Sequence, residues 1–147
     1  MAAEQTQDGR AEASLEPYNG ASASRTFEVT DKLIADFADL SGDRSPIHVD
    51  AAFAQRRGLR SVVAHGALLG ALTSCVLGMD LPGAAGFLQE LSLKFHRPCY
   101  AGDVLTVQVS VTSVVESVQA LLLKIRITNQ RQEMVASGKA QSGVQQT

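Results

Sequence analysis

Three stretches in the second half of the chain alternate apolar and polar residues with period two. Leu91, Leu93 and Phe95 alternate with Ser92, Lys94 and His96, and Leu105, Val107, Val109 and Val111 with Thr106, Gln108, Ser110 and Thr112. Leu121, Leu123, Ile125 and Ile127 share one face opposite Leu122, Lys124, Arg126 and Thr128. That alternation predicts half-buried strands, with a weaker fourth from Met134 to Gln141. Ala101-Gly102-Asp103 and Asn129-Gln130-Arg131-Gln132 read as the turns between them. Upstream, a short strand is expected from Ser24 to Val29. Thr30 is placed to cap a helix in which Leu33, Ile34, Phe37 and Leu40 recur at helical spacing. Asp50 caps a second helix, Ala51 to Arg57, stopped by Gly58. From near Val63 to about Leu77 runs a longer helix, apolar all round and therefore expected to be enclosed. The order predicts an α+β fold in which a curved antiparallel sheet wraps around one long buried helix.

Length and composition narrow the function classes. At 147 residues, 45% apolar and 19% charged, the chain suits one domain, placed at residues 25–147. A net charge of −2 gives no reason to expect a nucleic acid or an anionic membrane as partner. Residues 1–24 are rich in Ala, Glu, Gln, Ser and Gly and are expected to be a disordered tail. They contain no apolar signal core, and their acidic residues argue against a mitochondrial transit peptide, so a cytoplasmic location is expected. Ser61 to Met79 is an uncharged run of 19 residues at the lower limit of a membrane span, and is read as a buried helix. Cys75 and Cys99 lack ligand spacing and are expected to be structural thiols.

Chemistry is concentrated in Asp43-Arg44-Ser45-Pro46-Ile47-His48 and in Ala64-His65-Gly66. Were residues 43–48 helical, five steps of roughly 100° would hold Asp43 and His48 about 140° apart. Pro46 lacks an N–H and pushes Ser45 into an extended conformation, so a turn is expected, in which the two side chains converge. Asp43 alone would be an ordinary turn residue. Beside His48 it makes a carboxylate–imidazole pair suited to proton transfer near neutral pH. Gly66 opens the long helix, where free N–H groups and the positive dipole end suit a carbonyl oxygen gaining charge. His65 is read as structural.

These residues resemble the (R)-specific enoyl-CoA hydratases, or MaoC-like dehydratases, of the hot-dog fold. The family motif (small residue, Gly, Asp, any, Asn, Pro, any, His) stands here as Ser41-Gly42-Asp43-Arg44-Ser45-Pro46-Ile47-His48. Val63-Ala64-His65-Gly66 matches a second block, and Phe95-His96-Arg97-Pro98 with Ala101-Gly102-Asp103 a third. Ser45 stands where the motif has Asn, and Ala71 where some members have Ser. The resemblance implies a homodimer and a helical insertion carrying the Asp/His turn. It also implies a trans-2-enoyl thioester hydrated reversibly to the (R)-3-hydroxyacyl thioester. Asp43 and His48 would act on one water while the Gly66 N–H holds the carbonyl.

Ser45, Phe53, Leu68 and Leu88 are the expected substrate contacts. Arg56, Arg57 and Arg60 form a basic cluster that would attract the phosphates of coenzyme A or an acidic acyl carrier protein, unless it is simply a solvated face. No metal or redox cofactor is expected. Two other readings are a thioesterase, which needs one carboxylate and leaves His48 without a task, and a non-catalytic acyl-thioester-binding module.

Overall fold

The computed structural model describes residues 14–145. A 3₁₀ turn at Glu16–Tyr18 leads into β1 (Ser22–Glu28), followed by α1 (Asp31–Ser41), α2 (Pro46–Val49), α3 (Ala51–Arg56) and α4 (Gly66–Met79). Then come β2 (Gly86–Phe95), β3 (Val104–Val115), β4 (Ala120–Thr128) and β5 (Met134–Val144). The strands form one antiparallel sheet in the order β1-β3-β4-β5-β2. At its centre Val107 pairs with Ile127, Val109 with Ile125 and Val111 with Leu123, all buried. The alternation of β3 and β4 therefore builds the core as read.

The expected curved sheet wrapped around one long buried helix is not what the chain forms. The sheet is open: β1 and β2 are its two edges and do not pair with each other. Helix α4 lies across one face, packed against β1, β2 and β3. Leu68, Leu69, Leu72, Thr73, Val76 and Leu77 are buried, whereas Ala67, Ala71, Ser74 and Gly78 form an exposed stripe. The helix also starts at Gly66 rather than near Val63, because Val63 bridges to Tyr100 instead. Several short helices accompany it, and among the described residues no helix is long and apolar enough to cross a membrane.

Two local expectations change as well. Residues 1–13 of the expected tail lie outside the described residues, but residues 14–24 belong to the fold. Leu15 is 1% exposed in the core, Tyr18 packs against it, and Ser22 already pairs with Ser110. In α1, Ile34 is buried and Leu33 and Phe37 are half-buried on the expected face, with Ala38 buried beside them, while Leu40 at the helix end is exposed. The Thr30 hydroxyl caps that helix by accepting from the Leu33 N–H at 3.0 Å.

Candidate active site

The site begins where α1 stops. Gly42 takes φ 74°, the left-handed conformation that glycine adopts without steric cost, and its N–H closes on the Ala38 carbonyl at 2.9 Å. The Ser41 hydroxyl donates to the Phe37 carbonyl and accepts from the Asp43 N–H. Asp43 Oδ1 then accepts from the Ser45 N–H at 3.1 Å. Ser45 is extended (ψ 134°) ahead of Pro46, as sterics demand, but Pro46 does not keep the following residues out of a helix. It is the first residue of α2, where its missing N–H is no loss. The turn is thus confined to residues 42–45, and His48 sits on one turn of helix.

That geometry brings the pair together. His48 Nε2 stands 3.8 Å from Asp43 Oδ2, with the imidazole 10% exposed and the carboxylate 53%. His48 Nδ1 is 2.7 Å from the Val63 carbonyl, which can only accept, so Nδ1 carries a proton and Nε2 is left for exchange on the Asp43 side. The Val63 N–H returns to the Ile47 carbonyl at 3.0 Å, fixing the strap from both directions.

The same strap delivers the helix end. The Ala64 N–H bonds the Cys99 carbonyl at 2.7 Å, and Gly66 follows as the first residue of α4. Among the described residues the Gly66 N–H meets no acceptor. An open cavity of about 520 Å³ is lined by His48 and Gly66, by apolar Ile47, Leu59, Val63, Leu69, Phe95 and Pro98, and by Ala64, Cys99, His96 and Arg97. A smaller one of about 280 Å³ reaches His48 from the α1 side, past Ile34, Ala38, Val49 and Val62.

His65 is buried beneath the pair, its ring stacked on that of His48 (centroids 3.8 Å apart, 20° between planes). Asp43, His48 and His65 each offer a ligand atom within 4.8 Å of the others. The arrangement is poor for an ion nonetheless. Each imidazole has one nitrogen engaged by a carbonyl, and in rings lying nearly face to face the in-plane lone pairs run side by side rather than converge.

Residues 13–132 match the MaoC-like domain family. The chain belongs to that family. It is 36% identical over 127 residues to an (R)-specific enoyl-CoA hydratase of Aeromonas caviae, covering 86% of this chain and 93% of that protein. It superposes with a TM-score of 0.81 on an R-hydratase of Pseudomonas aeruginosa in its unliganded form, at 32% identity, over 87% of this chain and 82% of the other. It is also 28% identical over 120 residues to a mitochondrial 3-hydroxyacyl-[acyl-carrier-protein] dehydratase of Arabidopsis thaliana, covering 80% of this chain and 70% of that protein.

In this MaoC-like domain the remaining candidates fall apart from one another. Ser45 is exposed, and its N–H rather than its hydroxyl contacts Asp43. Phe53, Leu68 and Leu88 do not line the cavity that holds His48 and Gly66. Leu68 is packed in the core, and Leu88 is 42% exposed on the edge strand β2. Leu69 lines the cavity instead, and its place three residues beyond Gly66, on the same helix face, is the signal that would have found it. Arg56 lies over the Phe53 ring at 5.7 Å, and Arg60 over the Tyr100 ring at 4.3 Å. Neither they nor Arg57 reach the lining, whereas Arg97 does. His96, exposed and bonded to the Ser137 hydroxyl at 2.7 Å, stands at the cavity. The Phe95-His96-Arg97-Pro98 block thus supplies one wall of the cavity.

Proposed function

We propose that this MaoC-like domain catalyses the (R)-specific hydration of trans-2-enoyl thioesters and, in reverse, dehydration of (R)-3-hydroxyacyl thioesters. The observation that carries the reading is the 3.8 Å approach of Asp43 Oδ2 to His48 Nε2, with His48 lining one cavity together with Gly66, whose N–H meets no acceptor among the described residues. A water oxygen about 2.8 Å from both side-chain atoms completes a triangle on that base, so both groups reach one water. As the water attacks the β-carbon it loses a proton to the pair, and the pair returns a proton to the α-carbon on the same face. Between those events negative charge gathers on the thioester oxygen. A backbone donor fixed at the start of α4 would stabilise it without reorganisation, commonly worth about 10²–10³ in rate.

The substrate is an acyl thioester, and its carrier is coenzyme A or an acyl carrier protein. Arg97 at the cavity, with Arg56, Arg57 and Arg60 farther out, supplies positive charge for either. A homodimer belongs to the same reading. The Asp43 side chain is 53% exposed in one protomer, and apolar Phe87, Leu88 and Phe95 face outward along edge strand β2. A second copy that covered the Asp43 carboxylate would exclude bulk water from the reaction.

The test is incubation with crotonyl-CoA, following the enoyl-thioester absorbance and free thiol separately, then chiral chromatography of the product. Loss of absorbance without thiol release, with the (R)-3-hydroxy product, is the expected result. Thiol release would mean a thioesterase, and no change with crotonyl or longer enoyl-CoA substrates would mean a binding module.

A further inference from the structure

We infer that His65 is a positioning residue that locks the Asp43 carboxylate, the His48 imidazole and the Gly66 amide into one rigid unit. The inference rests on the proposed roles of those three groups. His65 is 2% exposed and is tied to each of the three residues by a different means, to Asp43 through its backbone. Its Nε2 lies 2.9 Å from the backbone carbonyl of Asp43, and since that oxygen can only accept, Nε2 is the donor. Its ring lies flat against the His48 imidazole at 3.8 Å, with Phe37 closing another side at 5.0 Å and 56°. Gly66 is its covalent neighbour, and the His65 carbonyl accepts from the Leu68 N–H at 3.0 Å in the first turn of α4.

The remaining ring nitrogen sharpens the argument. His65 Nδ1 is buried and has no hydrogen-bond partner among the described residues. An imidazole kept in the core with one nitrogen unsatisfied is a poor choice for stability alone, since such a group costs about 1–3 kcal/mol. What an apolar residue of similar size would lack is the Nε2–H that holds the Asp43 turn. What a flexible polar residue would lack is the flat face under His48. His65 supplies both. Rate in such a site depends steeply on placement, a shift of about 1 Å costing on the order of 10²-fold.

Three variants separate the two contacts. His65→Gln retains an N–H donor at the position of Nε2 but no ring. His65→Met has the length of Gln with no donor. His65→Phe keeps a ring against His48 without the donor. Each is assayed for kcat and KM on crotonyl-CoA, per folded molecule as measured by circular dichroism, with Asp43→Asn in parallel. We expect kcat to fall about 10–100-fold in His65→Met and His65→Phe, with KM changed by less than about 2-fold, and His65→Gln, which restores the donor but not the ring, to recover only part of the loss relative to His65→Met. Wild-type kcat in His65→Met and His65→Phe overturns the inference. So does a loss that vanishes when activity is expressed per folded molecule, or a rise in KM matching the fall in kcat. If Asp43→Asn itself retains full turnover, the reading of the site fails first, and the His65 result is then judged only as packing.

Discussion

Asp43 presents its two carboxylate oxygens to different partners, and only one of them faces His48. Oδ1 accepts the Ser45 N–H at 3.1 Å and shapes the turn, while Oδ2 stands 3.8 Å from His48 Nε2. The turn-capping role and the proposed chemical role therefore coexist in one side chain.

This division predicts the behaviour of Asp43→Asn. The Asn side-chain oxygen can still accept the Ser45 N–H, so the turn and the fold persist. The amide cannot take or return a proton, so kcat for crotonyl-CoA hydration should fall by about 10²–10⁴ with an unchanged unfolding midpoint. Turnover at the wild-type rate would remove Asp43 from the proton-transfer pair.

Gly66 can be tested without removing its N–H. A Cβ added there would lie 2.9 Å from Phe95 Cζ and 3.0 Å from Cε2, closer than such atoms come. The Phe95 ring is 51% exposed and can swing away, so Gly66→Ala should change stability by less than about 1 kcal/mol. The added methyl and displaced ring then crowd the approach to the amide, and kcat/KM should drop by about tenfold or more. Pairing Gly66→Ala with Phe95→Ala should restore part of that loss. Full activity in the single variant would show that the carbonyl binds elsewhere.

How much of this was readable depended on whether the physical signal was local. The alternation in β3 and β4 is local, and the residues it assigned to the apolar faces, Val107 and Ile127 among them, are buried. Pro46 gave the extended Ser45 and the convergence of Asp43 with His48, although its place as the first residue of α2 reverses the expectation of a pure turn. Helix α4 was harder, because Ala67, Ala71, Ser74 and Gly78 offer too little hydropathy contrast to betray an exposed stripe. The cavity wall was harder still. It depends on Val63 bridging Tyr100 and on the Ala64 N–H reaching Cys99, contacts between segments more than thirty positions apart. The open sheet follows from strand order, which period-two patterning does not encode.

Leu15 tests the corrected boundary at the beginning of the fold. Its side chain is 1% exposed in the core, and the Leu15 N–H donates to Glu116 Oε1 at 3.1 Å. Leu15→Ala should destabilise the protein by about 2–5 kcal/mol in urea denaturation, as for other buried leucines. A shift below about 0.5 kcal/mol would mean that this segment does not hold to the core in solution.

Cys99 offers a check on the cavity wall through its chemistry. Its thiol is 3% exposed, and burial, with Asp103 beside it, pushes its pKa up to about 12. At pH 8 the native protein would then hold only about 10⁻⁴ of this thiol as thiolate, the form that reacts. The sign for stability follows from the raised value. Below the unfolded pKa both states keep the proton and pH has no effect through this group. Above it the unfolded chain ionises first, so stability should decline as pH rises from about 9 toward 12, and Cys99→Ser should flatten that decline. Alkylation with iodoacetamide at pH 8, mapped by mass spectrometry, should leave Cys99 unmodified in the native protein and label it in urea. Half-buried Cys75 on α4 is the internal comparison. Rapid native labelling of Cys99 would mean that the wall between the Ala64 strap and the cavity opens to water.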